Sequence, residues 1–261
     1  TIYGDGSVRN VTNEVINFAP TSRIQYNFGK REFLRFDYRG STQQPSVSQM
    51  QPVKNNSNPM NETVGNPALN PAFNSNFRLM YSVFNEKTFS SFSTMMGANM
   101  TKDALVSNSI YDLTGKQYNQ TVNASATPVN YNGNVMFNTP LIQKRLHFNT
   151  STSGGYSLRY GYSSKGVDRE LVNVDDLILG DLSKTRNYNV TEQMSLTFTH
   201  DVIELGAMGR LRYANTLNNL RNSETETYDW TVRGNIVAPL PYNFTIISDI
   251  NYSNRLGYSS F

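Results

Sequence analysis

Cysteine is absent from the 261 residues, so neither a disulfide framework nor a thiolate metal site can be built from them. Charge is scarce as well. Asp, Glu, Lys and Arg make up 16% of the chain, against roughly 25% in soluble globular domains. The apolar share is 38%, below the roughly 45–50% that usually fills a dry core. No stretch approaches the roughly 18–20 apolar residues of a transmembrane helix, which leaves strands as the way across a bilayer. Lysines and arginines are scattered without a basic run, so no nucleic-acid footprint is present. The two histidines, His147 and His200, lack an HExxH-like companion, and no G-x-S-x-G elbow occurs. No cofactor and no enzymatic role are expected. The chain begins at Thr1 with no signal peptide, which reads as a processed or excised piece of a longer protein.

What remains is a chain of Asn, Ser, Thr, Gly and Tyr in which period two recurs and helical periodicity is nearly missing. Ile24, Tyr26 and Phe28 alternate with Arg23, Gln25 and Asn27, and Leu34, Phe36 and Tyr38 with Arg35, Asp37 and Arg39. The same pattern covers 76–83, 91–100, 129–138, 156–162, 194–199, 205–213, 228–236 and 244–252, giving ten strands in antiparallel hairpins. Short connections at 28–32, 85–88, 140–145, 200–205 and 239–243 take turns with longer polar segments at 41–73, 102–118, 163–187 and 216–224. Aromatics gather near strand ends, among them Tyr26, Phe28, Phe33, Phe84, Phe89, Tyr242 and Phe244. One apolar face, one polar face and turns of two lengths predict an antiparallel transmembrane β-barrel segment with short periplasmic turns and long outside loops.

The loop "NPMNETVGNPALNPAF" (58–73) places Pro59, Pro67 and Pro71 each after an asparagine. Proline fixes its own φ and drives the preceding residue from the helical region, so the segment reads as a rigid loop without secondary structure. It serves either as a preformed ligand surface or, more plainly, as a latch on the barrel rim. Gly154 and Gly155 fall inside a strand and mark a bulge or a close-packing point.

Residues 34–84 resemble the barrel of TonB-dependent transporters of Bacteroidota, within an outer-membrane β-barrel family; "QQPSVSQMQP", "GNPALNPAF" and "NFRLMY" carry the resemblance. It extends more loosely over the whole chain, through hairpins such as "VMFNTPLIQKRLHFN" and "VAPLPYNFTIISDINY". The resemblance implies a barrel of about 22 strands with an N-terminal plug inside it and a periplasmic contact to TonB. It further implies import of a bulky nutrient (glycan, siderophore or peptide) across a Gram-negative outer membrane. Only a C-terminal part of such a barrel is matched, and the plug and closing strands are expected outside this sequence. Partners so implied are outer-membrane lipids, the plug, TonB and a surface lipoprotein or other outer-membrane subunit.

Ligand contacts are expected from lumen-facing Arg35, Arg39, Arg78 and Arg159, with Arg210, Arg212 and Arg233 as further inward arginines, and from the outside loops 41–73 and 163–187. The plainer role for the arginines is to pair with carboxylates and keep the interior wet. In "VDDLILGD", Asp175 and Asp176 with Asp181 offer oxygens to Ca²⁺ or to a ligand, but their spacing matches no EF-hand. A solvated acidic loop is the simpler reading. Two further functions stand beside transport: a structural barrel subunit of an outer-membrane secretion or assembly complex, and an exported soluble β-sandwich that binds glycans.

Overall fold

The computed structural model describes residues 17–142, 145–167 and 178–257. Among them the strands are β1 (Thr21–Gly29), β2 (Glu32–Gln43), β3 (Asn55–Asn58), β4 (Asn61–Val64), β5 (Ala72–Asn85), β6 (Ser90–Lys102) and β7 (Leu105–Asp112). There follow β8 (Gln117–Asn123), β9 (Val129–Ile142), β10 (Leu146–Val167), β11 (Asp181–His200), β12 (Ile203–Asn218), β13 (Ser223–Leu240) and β14 (Phe244–Leu256). One short helix, α1 (Val47–Met50), and a 3-10 turn at Pro241–Asn243 complete the elements.

Ten of the strands form one antiparallel wall in the order β1-β2-β5-β6-β9-β10-β11-β12-β13-β14. These are the ten that the alternation predicts. Among the described residues the wall is open, so β1 and β14 each show one unpaired edge, and an edge of that kind must find a partner in hydrocarbon. Short turns join the wall at one end, with Asp201 and Tyr242 taking positive φ to close two of them. Longer connections lie at the other end. Two differ from expectation. The connection between β12 and β13 shrinks to residues 219–222, and β10 reaches Val167 while β11 starts at Asp181, so both ends of the supposed loop 163–187, residues 163–167 and 181–187, are strand.

Because directly opposed residues share a face, the register assigns sides. Ile24, Phe36, Leu79, Met96, Gly133, Gly154, Val190, Tyr213 and Tyr228 run across the wall on one side. That side is apolar and uncovered: Ile24 is 63% exposed, Leu211 65% and Ile250 73%. An exposed apolar sheet face of this size is what lipid covers. On β11 it runs from Tyr188 to Phe198, which at roughly 3.3 Å per residue and a tilt near 40° spans about 25 Å. Tyr188, Tyr213 and Tyr228 make an aromatic row at its outer edge, with ring centroids 5.8 Å and 4.9 Å apart. On β9 through β13 the one charged side chain within this band is Glu192, whose carboxylate accepts hydrogen bonds from Thr150 (2.6 Å) and Thr152.

Gly154 and Gly155 stay in register with both neighbours, so the bulge reading is corrected. The shifts in the wall ladders fall instead at Asn27/Gly29 and Leu146/His147, beside the short turns. Gly133 and Gly154 face each other on the lipid side and floor a groove of about 580 Å³ between Met96, Tyr131 and Tyr156.

Above the outer end of β9 the wall continues as an annexe. β7 pairs parallel with the top of β10, β8 antiparallel with β7, β4 parallel with β8, and β3 antiparallel with β4. Sequence reasoning treats these segments as plain loop, and that is corrected here. The small core among the described residues lies in this annexe, around Ile110 and Tyr118. Asn108, fully buried, donates to the Ile178 carbonyl and accepts from the Gly180 amide, both at 3.0 Å. Lys116 donates to Glu62 at 2.6 Å while lying 4.8 Å above the Tyr118 ring.

The Asn-Pro run explains its own shape. Asn58 and Asn66 each accept from the amide two residues on, closing turns across Pro59 and Pro67. Asn70 exchanges two hydrogen bonds with Asn123 of β8, at 2.8 and 2.9 Å. Gly65 passes so close to the α1 end that a Cβ there would lie 1.9 Å from the Gln51 carbonyl oxygen. These contacts match a latch on the rim, built with secondary structure rather than without it.

Candidate functional site

The side of the wall opposite the lipid band is polar from edge to edge. Arginines 23, 35, 39, 78, 159, 210, 212, 233 and 255 share it with Asp37, Glu204, Asp229, Asp249 and, at the outer end, Asp181. Asparagine, serine and threonine fill the strands between, hydrogen-bonded across the ladders: Asn99 donates to Asn76 and Thr101 to Asn74, each at 2.7 Å. Period-two alternation dictates this surface. Each strand that sends an apolar side chain into lipid must send its neighbours inward.

Charge concentrates at the two flanks. On β1, β2 and β5, Arg23 Nε lies 2.5 Å from Asp37 and Arg35 Nε 3.0 Å from the same carboxylate. The second contact is an ion pair by distance but too poorly angled for a hydrogen bond, so the buried Arg35 Nε has none. Arg35 Nη2 approaches Met80 Sδ at 2.9 Å. Arg39 and Arg78 have no carboxylate partner among the described residues. Together with Asn99 and Asn132 the group lines a cavity of about 1010 Å³.

On the other flank Arg255 binds Asp229 through Nε at 2.5 Å and Nη2 at 3.0 Å, with Arg212 on the same carboxylate at 3.9 Å. Arg233 pairs with Asp249 at 2.9 Å. Arg210, Arg212, Asp229 and Arg255 line a smaller cavity of about 450 Å³. Guanidinium groups held in this way present planar donors to carboxylate, phosphate or sulfate oxygens.

Of the residues singled out from sequence, the structure gathers Arg35, Arg39 and Arg78 at one site and Arg210 and Arg212 at the other, with Arg233 paired to Asp249. Arg159 stands apart on β10, with β6 and β9 between it and β5. Asp175 and Asp176 lie outside the described residues. Arg23 and Arg255 were not singled out, nor were the carboxylates that organise each flank. Their position in the alternation was the available signal. Among the described residues no group of three or more His, Asp or Glu side chains could hold a metal.

A single wall of long tilted strands, lipid-facing on one side and wet on the other, is a transmembrane β-barrel wall. The outer membrane protein β-barrel family matches residues 2–261, and the chain belongs to that family. It is accordingly a protein of the Gram-negative outer membrane. No curated protein and no solved structure matches it.

Proposed function

We propose that this chain forms part of the barrel of a TonB-dependent transporter that imports a bulky nutrient such as a glycan, siderophore or peptide. The observation that carries the reading is the wet face, where arginines exceed carboxylates at both flanks of a neutral asparagine floor. A lumen that docks a plug, or passes an anionic solute, gains from unmatched guanidinium groups. In this reading the plug occupies the polar side, TonB acts from the periplasm, and the annexe stands at the outer mouth where a surface lipoprotein would meet it. The role is that of a carrier and not of an enzyme.

The test is a pull-down of the full-length protein, extracted from its native membrane, by the periplasmic domain of TonB. Stoichiometric capture is the expected result, together with loss of nutrient uptake in cells lacking TonB. Failure of capture, with secretion or assembly subunits co-purifying at fixed ratio, would replace the transporter by a structural barrel subunit.

A further inference from the structure

The annexe continues the wet side of the wall. Ser163 of β10 faces the lumen and opposes Ser109 of β7, Ser109 opposes Asn119 of β8, and Asn119 opposes Thr63 of β4. Tyr111, Gln117 and Asn61 share that side two residues nearer the outer tip. The charged residues of the annexe strands, Glu62 and Asp112, belong to the opposite side. A shelf of amides and hydroxyls is left facing the mouth.

Side chains tie this shelf together across three strands. Ser109 Oγ and Gln117 Nε2 donate to Asn119 Oδ1 at 2.7 and 2.8 Å, and Asn119 Nδ2 donates to Asn61 Oδ1 at 2.7 Å. Asn61 and Gln117 oppose each other, and Asn61 Nδ2 and Gln117 Oε1 have no partner among the described residues. A donor and an acceptor thus stand side by side with their other ends held. Below them, Asn123 of β8 holds Asn70 ahead of β5. The Thr101–Asn74 and Asn99–Asn76 pairs then carry the amides down to Arg39, which opposes Asn76, and to Arg78. At about 3.3 Å per residue along β8 and β6, this path is roughly 30 Å long.

We propose that this path binds a glycan carrying acidic groups, carboxylate or sulfate. Amides offering a donor beside an acceptor suit sugar hydroxyls, each of which both donates and accepts. An extended peptide calls instead for pockets that take its alternate side chains. Positive charge stands at the two ends: Lys165 lies 6.0 Å above the Tyr111 ring at the outer tip, and Arg39 and Arg78 lie at the inner end. These two arginines, without carboxylate partners, take the acidic substituents. Asp181, at the margin of the shelf, accepts from Ser164 at 3.2 Å. The inference rests on the transporter reading and names its cargo.

The test titrates the full-length protein in mild detergent, by calorimetry, with oligogalacturonate, a sulfated galacto-oligosaccharide, the neutral galacto-oligosaccharide and oligoglutamate. At least one acidic sugar should bind about tenfold more tightly than both the neutral sugar and oligoglutamate. Asn61→Ala with Gln117→Ala should weaken that sugar about fivefold and leave oligoglutamate unchanged, whereas Arg39→Ala with Arg78→Ala should weaken both. Equal binding of oligoglutamate overturns the glycan, and equal binding of the neutral sugar overturns its acidic groups. Unchanged affinity after loss of the Asn61 and Gln117 amides overturns the shelf. Should that double variant not fold, Asn61→Ala alone is read in the same way. Sugar binding without capture by TonB would refute transport and keep the shelf, and capture without sugar binding would do the reverse.

Discussion

Arg23 of β1 and Asp37 of β2 face each other across the ladder at 2.5 Å, and the same carboxylate takes Arg35 of its own strand at 3.0 Å. One carboxylate thus serves two of the four arginines on that flank. Arg39 and Arg78 are left as donors toward the lumen.

Anion binding should follow that asymmetry. Titrated with a trisulfonated dye, the full-length protein carrying Arg39→Ala and Arg78→Ala should bind about tenfold more weakly, the equivalent of roughly 1.4 kcal/mol. Arg159→Ala should change binding less than about twofold, and added salt should weaken the wild type because the groups are wet. An equal loss at Arg159 would show that charge alone, and not the flank, matters.

Asn108 imitates a strand neighbour for the chain at residues 178–180, pairing the Ile178 carbonyl and the Gly180 amide from a fully buried position. Asn108→Ala should cost about 1–3 kcal/mol locally, from the loss of two hydrogen bonds. Hydrogen exchange at Gly180 would speed accordingly, while amides of β12 and β13 keep their protection. Uniform change across the wall would contradict a local clamp.

The Lys116–Glu62 pair makes the annexe pH-sensitive on the alkaline side. The hydrogen bond to Glu62 is the main cause that raises Lys116 above its ordinary 10.5, and burial opposes it. A raised lysine contributes stability that is complete below its unfolded pKa and is lost as pH climbs through the folded one. Glu62→Gln should cost about 1 kcal/mol at neutral pH, and on the alkaline side the difference from wild type should fade as pH rises above about 10.5. Since the chain has no cysteine, a fluorophore at Ser107→Cys reports urea unfolding of the annexe cleanly. A difference that persists undiminished well above about pH 10.5 would show that the lysine charge is not what stabilises the annexe.

Glu192 puts a carboxylate in the lipid band, with Thr150 and Thr152 as its donors among the described residues. Glu192→Gln keeps an acceptor for the threonines and removes the charge. Unfolding of the full-length protein from lipid vesicles should require about 1–2 kcal/mol more in the variant. A less stable variant would mean that the charge is matched by something in the membrane.

The sequence by itself determined the wall. Period two is a local property, so Arg35, Phe36, Asp37 and Tyr38 announce their sides whatever they later meet. Ten strands, two faces and alternating turn lengths could be read in this way. The same reasoning missed β3, β4, β7 and β8. Segments such as "NNSN" and "QYNQTVN" carry no strong apolar alternation, and β4 and β7 pair in parallel with strands far along the chain. No turn residue announces a pairing of that kind.

Only the tertiary structure decided which charges meet. Arg35, Arg39, Arg78 and Arg159 look alike in sequence, each an arginine between apolar neighbours on a strand. Register brings the first three to one cavity, where only Arg35 meets the Asp37 carboxylate, while strand order places Arg159 on the third strand beyond β5. The gathering of Asn61, Gln117 and Asn119 on one shelf was equally invisible, because it depends on which strands β8 finds on either side. Side assignment is fixed by the pleat of one strand, whereas partner choice is fixed by how strands slide past one another.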